Sequence, residues 1–486
     1  MADVMLATSL TSAAYWPFVI LILSMALVVT LITLVRVHAF LALIVAAIFA
    51  GLLARQLPGE PQTGHWVQAV ELTTVEFGTT AGKIGVVICL AAIIGTCLME
   101  SGAADKVVRR FLAFFGEKRA GFALFSSSYV LSIPIFFDTF FMLLLPIARA
   151  LRLRTGRDYL LFVMAICCSG VVTHILIAPH PGPLAVAGTL NLDLGLTLLV
   201  GLPVGVIPAL CAWFFTRWLN RRIDIPLRGV SQASAAEIQA VLARPESELP
   251  SFAASILPVL GPIVLISAAS SLAALHAGER FPRLACGVEF AGNRNMALLI
   301  GAVIAMRTLA RQKGYSLAQV CQAVGPSLET AGVIILITSA GGAFGQMLKN
   351  AGVGDAVKTY AADHGMNLVL LAWLVSSVIR IAQGSATVAM LTTSAMMASI
   401  LYPSGDPAGA VLAQHPIYIF LAIGFGAVNL SWMNDSGFWV VSKLSGFTEK
   451  ETLKTWTLMT VLISVVGLMV TLVLAAVWPF GTAATS

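Results

Sequence analysis

Five ionisable side chains stand where an ionisable group is costly. Arg380, Asp138, Asp435, His174 and His180 each lie inside or directly beside a long apolar run, and charged or titratable residues in such runs default to a functional reading. Arg380 sits deep in an apolar arm, one turn before Gln383-Gly384-Ser385. A guanidinium there can grip a carboxylate through two parallel hydrogen bonds, or it can form a structural ion pair with Asp138 or Asp435. The two aspartates are the natural proton acceptors, because a carried proton needs a group that titrates near neutral pH and burial brings carboxyls into that range. Asp435 opens the segment DSGFWVV and could equally cap a half-helix by accepting backbone N–H bonds. His174 and His180 titrate near neutrality unaided. They read as proton relays, as partners for hydroxyl groups, or as histidines satisfied by backbone carbonyls at a helix break.

These residues cluster at four interruptions of the apolar pattern. SIPIFFD (132–138) carries Pro134 and Asp138, and THILIAPHPGP (173–183) carries His174, His180 and Gly182. AQGSATV (382–388) carries Gln383, Ser385 and Thr387, and MNDSGF (433–438) carries Asn434, Asp435 and Ser436. Unwinding a helix in a bilayer strands backbone N–H and C=O groups at several kcal/mol each, so such breaks persist only where they line a polar cavity. The helix N-termini that follow them present free N–H groups and partial positive charge, which suits a carboxylate.

Composition places these breaks in a membrane. The chain is 58% apolar and 11% charged, with a mean hydropathy of +0.91. Its repeated apolar runs of about 20 residues each match a hydrocarbon core roughly 30 Å thick, which excludes a soluble globule. No basic run precedes the first apolar stretch, so no cleavable signal peptide is expected. Continuous stretches fall at 17–35, 38–55, 81–99, 159–190, 194–216, 251–272, 295–309, 326–348, 415–441 and 455–479. Residues 121–151 and 366–400 differ: each is two short apolar arms around a break, too short to span alone. Basic residues flank 121–151 on both sides (Lys106, Arg109, Arg110, Lys118 and Arg119 before it; Arg149, Arg152, Arg154 and Arg157 after it). By the positive-inside rule both ends are cytoplasmic, which makes the segment a re-entrant hairpin. The acidic loop 56–80 then falls outside.

The chain also resembles itself. Residues 81–110 lie over 331–360 without a gap, identical at eight of thirty positions including Gly95/Gly345, Gly102/Gly352 and Asp105/Asp355, and the same shift superposes the breaks at 132–138 and 382–388. Paired interruptions in two halves are the best sequence pointer to a transport site. The expected fold is therefore an all-α polytopic membrane protein of two inverted-topology repeats. The first spans 1–216, with a hairpin at 121–151 and a broken helix at 159–190. A cytoplasmic linker at 217–250 leads to the second, 251–486, with a hairpin at 366–400 and a broken helix at 415–441.

Other chemistries find no support. His174 and His180 lack the spacing of a zinc-protease helix, and there is no Walker sequence, so neither a metal nor ATP coupling is expected. Six of the seven cysteines lie in or beside apolar segments with no metal-like spacing and read as packing residues. The net charge of +6 reflects topology and implies no nucleic-acid partner. No cofactor is expected. An intramembrane enzyme built on His174, His180 and Asp435 would leave the doubled breaks without a role, and a passive channel would show no accumulation.

At the breaks the chain is similar to a known family. VHAFLAL (37–43), FGEKRA (115–120), IPIFFD (133–138), TH…PHPGP (173–183), AQGSATVA (382–389), NDSGFW (434–439) and TLKTWT (452–457) resemble the gluconate permease family, bacterial inner-membrane sugar-acid:proton symporters of the ion transporter superfamily. The resemblance covers nearly the whole chain. It implies uptake of gluconate or a related hydroxy acid with protons, by an elevator-like movement on a homodimeric scaffold. Ala178 stands where a second proline is usual and Trp432-Met433 where smaller or polar residues are expected, differences that bear on which acid is carried. On this reading Arg380, Gln383, Ser385, Thr387, His180, Gly182, Asn434 and Ser436 bind substrate, and Asp138, Asp435 and His174 serve proton coupling. A sodium-coupled carboxylate transporter is the alternative, since re-entrant tips rich in Ser, Asn and Gly can coordinate Na⁺ through carbonyls.

Overall fold

Helix follows helix through the chain, and many interruptions coincide with a glycine at positive φ, as at Gly102, Gly116, Gly156, Gly314 and Gly384, or with a proline, as at Pro134. The computed structural model describes residues 2–58, 64–228, 245–274, 282–353, 356, 367–402, 415–433 and 435–478, and no strand occurs among them. The first half contains α1 (Ala2–Thr33), α2 (Ala39–Leu53), α3 (His65–Glu100) and α4 (Ala103–Phe115). It continues with α5 (Ala120–Leu131), α6 (Phe137–Thr155), α7 (Tyr159–Leu176), α8 (Pro181–Thr189) and α9 (Leu194–Asn220). The second half contains α10 (Phe252–Ala274), α11 (Pro282–Gly292), α12 (Arg294–Lys313) and α13 (Leu317–Asn350). After it come α14 (Leu368–Gln383), α15 (Ala386–Leu401), α16 (Pro416–Ala427), α17 (Ser436–Ser445), α18 (Glu449–Thr452) and α19 (Leu458–Val477). Seven segments among the described residues are long and apolar enough to cross a membrane.

The four breaks are where the sequence places them, for local reasons. Pro134 has no N–H to donate and disfavours helix at Ile133, so the chain unwinds between Leu131 and Phe137. Gly384 closes α14 in the left-handed region at φ 80°, and Ser385 caps α15 by accepting from Val388 N at 3.3 Å. Pro181 occupies the first position of α8, where its fixed φ costs nothing. Asp435 caps α17 through Gly437 N at 3.0 Å. The arms of α5 and α16, each 12 residues, are shorter than a span.

Two helices are longer than their hydropathy suggests. The stretch expected at 81–99 begins at His65, and that expected at 326–348 begins at Leu317 behind a Ser316–Gln319 capping box. Residues 65–80 are thus the first turns of α3, where the sequence reading has only a loop. At 36 residues α3 is about 54 Å long, well beyond a hydrocarbon core.

α3 and α13 pack along one another, with α2 against α13 and α12 against α3. α7 and α16 are apolar all round and buried along almost their whole length, the mark of central helices. Around α7 stand α5, α6 and α9. Two glycines set the distance between these groups. A Cβ on Gly95 of α3 would lie 3.2 Å from the Pro134 carbonyl oxygen at the first break, and one on Gly345 of α13 would lie 1.8 Å from Ala395 Cβ on α15. On the cytoplasmic side of the topology reading, Lys106 of α4 donates to Glu246 at 2.5 Å, and this ammonium holds the Glu246 carboxyl below its ordinary range.

Candidate functional site

All four interruptions open on one cavity of about 400 Å³. Its walls include Asp138 in the first turn of α6, His174 in the last turn of α7, and Arg380 in the last turn of α14. Ser385 and Thr387 at the start of α15, and Asp435 and Ser436 at the start of α17, complete the expected set. Helix ends therefore supply nearly every polar group of the site, as unwound backbone in an apolar setting requires. Phe136, which caps α6, offers no side chain to its first N–H groups. That helix start accordingly directs uncapped donors and partial positive charge at the cavity, where Phe137 and Asp138 line it.

Arg380 and Asp435 form the electrostatic centre. Both are buried, and the guanidinium donates from one terminal nitrogen to Asp435 Oδ2 and from the other to the Gly384 carbonyl. Asp435 Oδ2 also accepts from Ser431 Oγ, and Oδ1 accepts from Gly437 N. Both structural alternatives open in the sequence hold: Arg380 pairs with Asp435, and Asp435 caps a half-helix. The guanidinium keeps donors in reserve, since Arg380 Nε has no hydrogen-bond partner among the described residues. His174 lines the cavity, and its Nδ1, which is buried, has no partner among the described residues either.

The remaining expected residues fall elsewhere. His180 lies one layer behind the cavity wall, its Nε2 paired with the Ser132 carbonyl at 2.8 Å and its ring 4.9 Å from that of His174. It ties the first break to the start of α8, and Ser132 Oγ reinforces the junction at 2.6 Å from Thr173 Oγ1. Gly182 faces Met390, whose sulfur would stand 2.7 Å from a Cβ at that position. Its role in the structure is close packing of α8 on α15. Asn434 lies outside the described residues, as does the side chain of Gln383, whose backbone closes α14.

One wall was missed by sequence reasoning. Trp456, within the π-turn Leu453–Thr457, lines the cavity. Its indole N–H donates to Ser431 Oγ at 2.6 Å, the hydroxyl that in turn donates to Asp435, and its ring packs 5.3 Å from that of Phe137. The motif TLKTWT contains it, but spacing alone gives no hint that it faces a site.

An all-helical, polytopic membrane protein whose interrupted helices gather charge around an internal cavity has the architecture of a transporter. The chain belongs to the GntP family of permeases, whose family model matches residues 16–477, and the resemblance carried by the break motifs is thereby borne out. The chain is 34% identical to the gluconate permease of Pseudomonas aeruginosa, over 92% of this chain and 95% of that one. It is 32% identical to the Gnt-II system L-idonate transporter of Escherichia coli, over 95% and 99% of the two chains. With the low-affinity gluconate transporter of the same organism the identity is 31%, over 92% and 95%. Among solved structures, Neisseria gonorrhoeae MtrF superposes with a TM-score of 0.61 at 14% identity, over 91% of this chain and 96% of that one. Alcanivorax borkumensis YdaH gives 0.57 at 15%, over 91% and 98%. These two likenesses concern the fold alone.

Proposed function

We propose that this permease is a secondary active symporter that imports gluconate or a related sugar acid together with protons across the bacterial inner membrane. The observation that carries the reading is the buried Arg380–Asp435 pair at the cavity, with a second carboxyl, Asp138, on the same wall. The guanidinium and Asp435 neutralise one another. A substrate carboxylate that takes up the guanidinium's free donors adds a negative charge to a site withdrawn from water, where an uncompensated charge is strongly unfavourable. One proton, placed on Asp435 or Asp138, returns the site to the charge it carries without substrate. Binding of a monoanion and uptake of a proton are then the same event seen from two sides, and transport of the pair is electroneutral.

The substrate's hydroxyls meet Ser385, Thr387 and Ser436 beside His174, with Asn434 and Gln383 from the adjoining break residues. Trp456 and Phe137 offer apolar faces to its carbon chain. His180 and Gly182 support this surface from behind. Two features favour the inverted repeat on which an elevator movement would rest: α3 and α13 end at Glu100 and Asn350, and α8 and α17 begin at Pro181 and Ser436. In this reading 1–216 and 251–486 are the two repeats, 217–250 joins them in the cytoplasm, and two copies of the chain associate through their first helices.

The test is uptake of labelled D-gluconate into proteoliposomes under an imposed inward proton gradient, with and without a protonophore. Accumulation that collapses with the protonophore is expected. Accumulation that instead follows a sodium gradient at fixed pH would overturn the coupling, and no accumulation under either gradient would overturn the substrate.

A further inference from the structure

A second cavity, of about 200 Å³, lies between α3, α8, α13 and α15 and has no part in the mechanism above. Its charged residues are Glu76 and Lys83 on α3 and Lys349 on α13, with Thr80 and Gln346 as polar neighbours. Glu76 interacts electrostatically with both ammonium groups, yet among the described residues neither lysine has a carboxylate within ion-pair distance. Two cations and one anion leave the cavity with a surplus positive charge. Lys83 is exposed and Lys349 half-buried, so both ammonium groups can reach a solute at this cavity, and the surplus charge favours an anion.

The two cavities stand apart along the same three helices. α8 gives Pro181 to the first and Gly188 to the second, α13 gives Ile334 and then Gln346, and α15 gives Thr387 and then Ser399. Twelve residues separate each of the last two pairs, about 18 Å of helix rise. Between them lies a packed layer: Met390 against Gly182 and Leu391 against Gly341, with built Cβ distances of 2.7 and 2.9 Å. The first cavity reaches Ile32 and Ala39, on either side of the turn that holds Arg36. That turn is cytoplasmic in the loop-charge reading, so the second cavity faces the other side of the membrane.

We infer that the second cavity is a vestibule for the transported acid, in which Lys83 and Lys349 hold the carboxylate of a small hydroxy-acid anion on the outer side of the Met390–Leu391 layer before it reaches Arg380. The inference rests on the carboxylate reading of the first cavity. Lysine suits a waiting position, because its ammonium is a mobile, hydrated point charge without the rigid fork of arginine. A focused positive potential also raises the local concentration of an anion and its rate of arrival. The space is below the roughly 300 Å³ of drug-sized pockets, which limits occupants to small acids.

The test uses the unaltered protein in lipid nanodiscs and trinitrobenzenesulfonate, a water-soluble amine reagent, with modification of Lys83 and Lys349 followed by peptide mass spectrometry. D-gluconate should slow the modification of both lysines at least threefold relative to sodium chloride of equal ionic strength or to D-sorbitol. The protection should persist in Arg380→Lys, whose first cavity is impaired. Equal modification rates in gluconate and chloride would overturn the vestibule. In proteoliposomes Lys83→Gln combined with Lys349→Gln should raise the KM for uptake about tenfold with Vmax retained, and the double Arg variant should restore it; an unchanged KM would also overturn it. Should the unaltered protein protect its lysines yet accumulate no gluconate, the symport reading falls and the anion site stands.

Discussion

Arg380 and Asp435 bind each other across two helix breaks: the guanidinium that closes α14 is held by the carboxylate that caps α17. One contact therefore joins the break between α14 and α15 to the break before α17 and also forms the charged centre of the cavity. If a substrate carboxylate shares this guanidinium with Asp435, as the proposed symport requires, occupancy of the site is coupled to the junction between the two elements.

Replacing a proton-carrying carboxyl by its amide mimics the protonated state permanently. Asp138→Asn and Asp435→Asn are each expected to lose gluconate accumulation driven by a proton gradient. The variant that loses accumulation while retaining gluconate–gluconate exchange identifies the carrier. Asn still caps a helix, but Asp435→Asn leaves the guanidinium unpaired, a loss of about 3–5 kcal/mol for a buried pair. Its thermal midpoint in detergent should therefore fall well below that of Asp138→Asn. Retention of gradient-driven accumulation in both variants would remove these residues from coupling.

Arg380→Lys keeps the charge and removes the fork. The loss of one charge-assisted hydrogen bond to the substrate corresponds to about 1.5–3 kcal/mol, so the KM for gluconate should rise roughly ten- to a hundredfold. Initial-rate uptake measures it directly. An unchanged KM would leave Arg380 with the pairing of Asp435 as its whole task.

The parts of the site that sequence makes legible are those with a cost. Arg380, Asp138 and Asp435 stand out because charge in an apolar run needs a reason, and the breaks stand out because polar residues gather there beside Pro134, Pro181 and Gly384, whereas lone prolines such as Pro146, Pro203 and Pro208 lie inside helices. Trp456 carries no such cost: an aromatic in an apolar stretch is ordinary, and its contact with Ser431 exists only once the chain has crossed the break at 428–435 and turned back through 453–457. His180 was drawn into the expected site by proximity to the break, yet its ring is committed to the Ser132 carbonyl. The first turns of α3 were read as loop because Glu71 and Glu76 lower the local hydropathy, although both are good helix formers.

Trp456 supports the site through one hydrogen bond and one tilted ring contact, and the two can be separated. Trp456→Phe preserves the contact with Phe137 and deletes the donor to Ser431, at about 0.5–1.5 kcal/mol for a net hydrogen bond. The KM for uptake should rise between about twofold and tenfold. Trp456→Ala removes the ring as well and should also lower the thermal midpoint, by the roughly 3–5 kcal/mol of an aromatic truncation. Equal kinetics for the Phe variant and the unaltered protein would mean that the Ser431 hydroxyl holds Asp435 without help from the indole.

Gly95 and Gly345 correspond under the internal shift of the chain, but their neighbours differ in how far they can yield. A methyl group on Gly345 would overlap Ala395 on both its Cβ, at 1.8 Å, and its Cα, at 2.7 Å, so only separation of α13 from α15 relieves it. On Gly95 the obstacle is a carbonyl oxygen at 3.2 Å, which a shift of a few tenths of an ångström accommodates. Gly345→Ala is expected to cost at least the roughly 1–3 kcal/mol of an overpacked core, and Gly95→Ala distinctly less. If α15 moves past α13 during transport, the variant that forces them apart also slows turnover per molecule. Thermal midpoints and uptake rates normalised to folded protein check both statements. A Gly345→Ala protein with an unaltered midpoint would mean that the two helices do not rest at this separation.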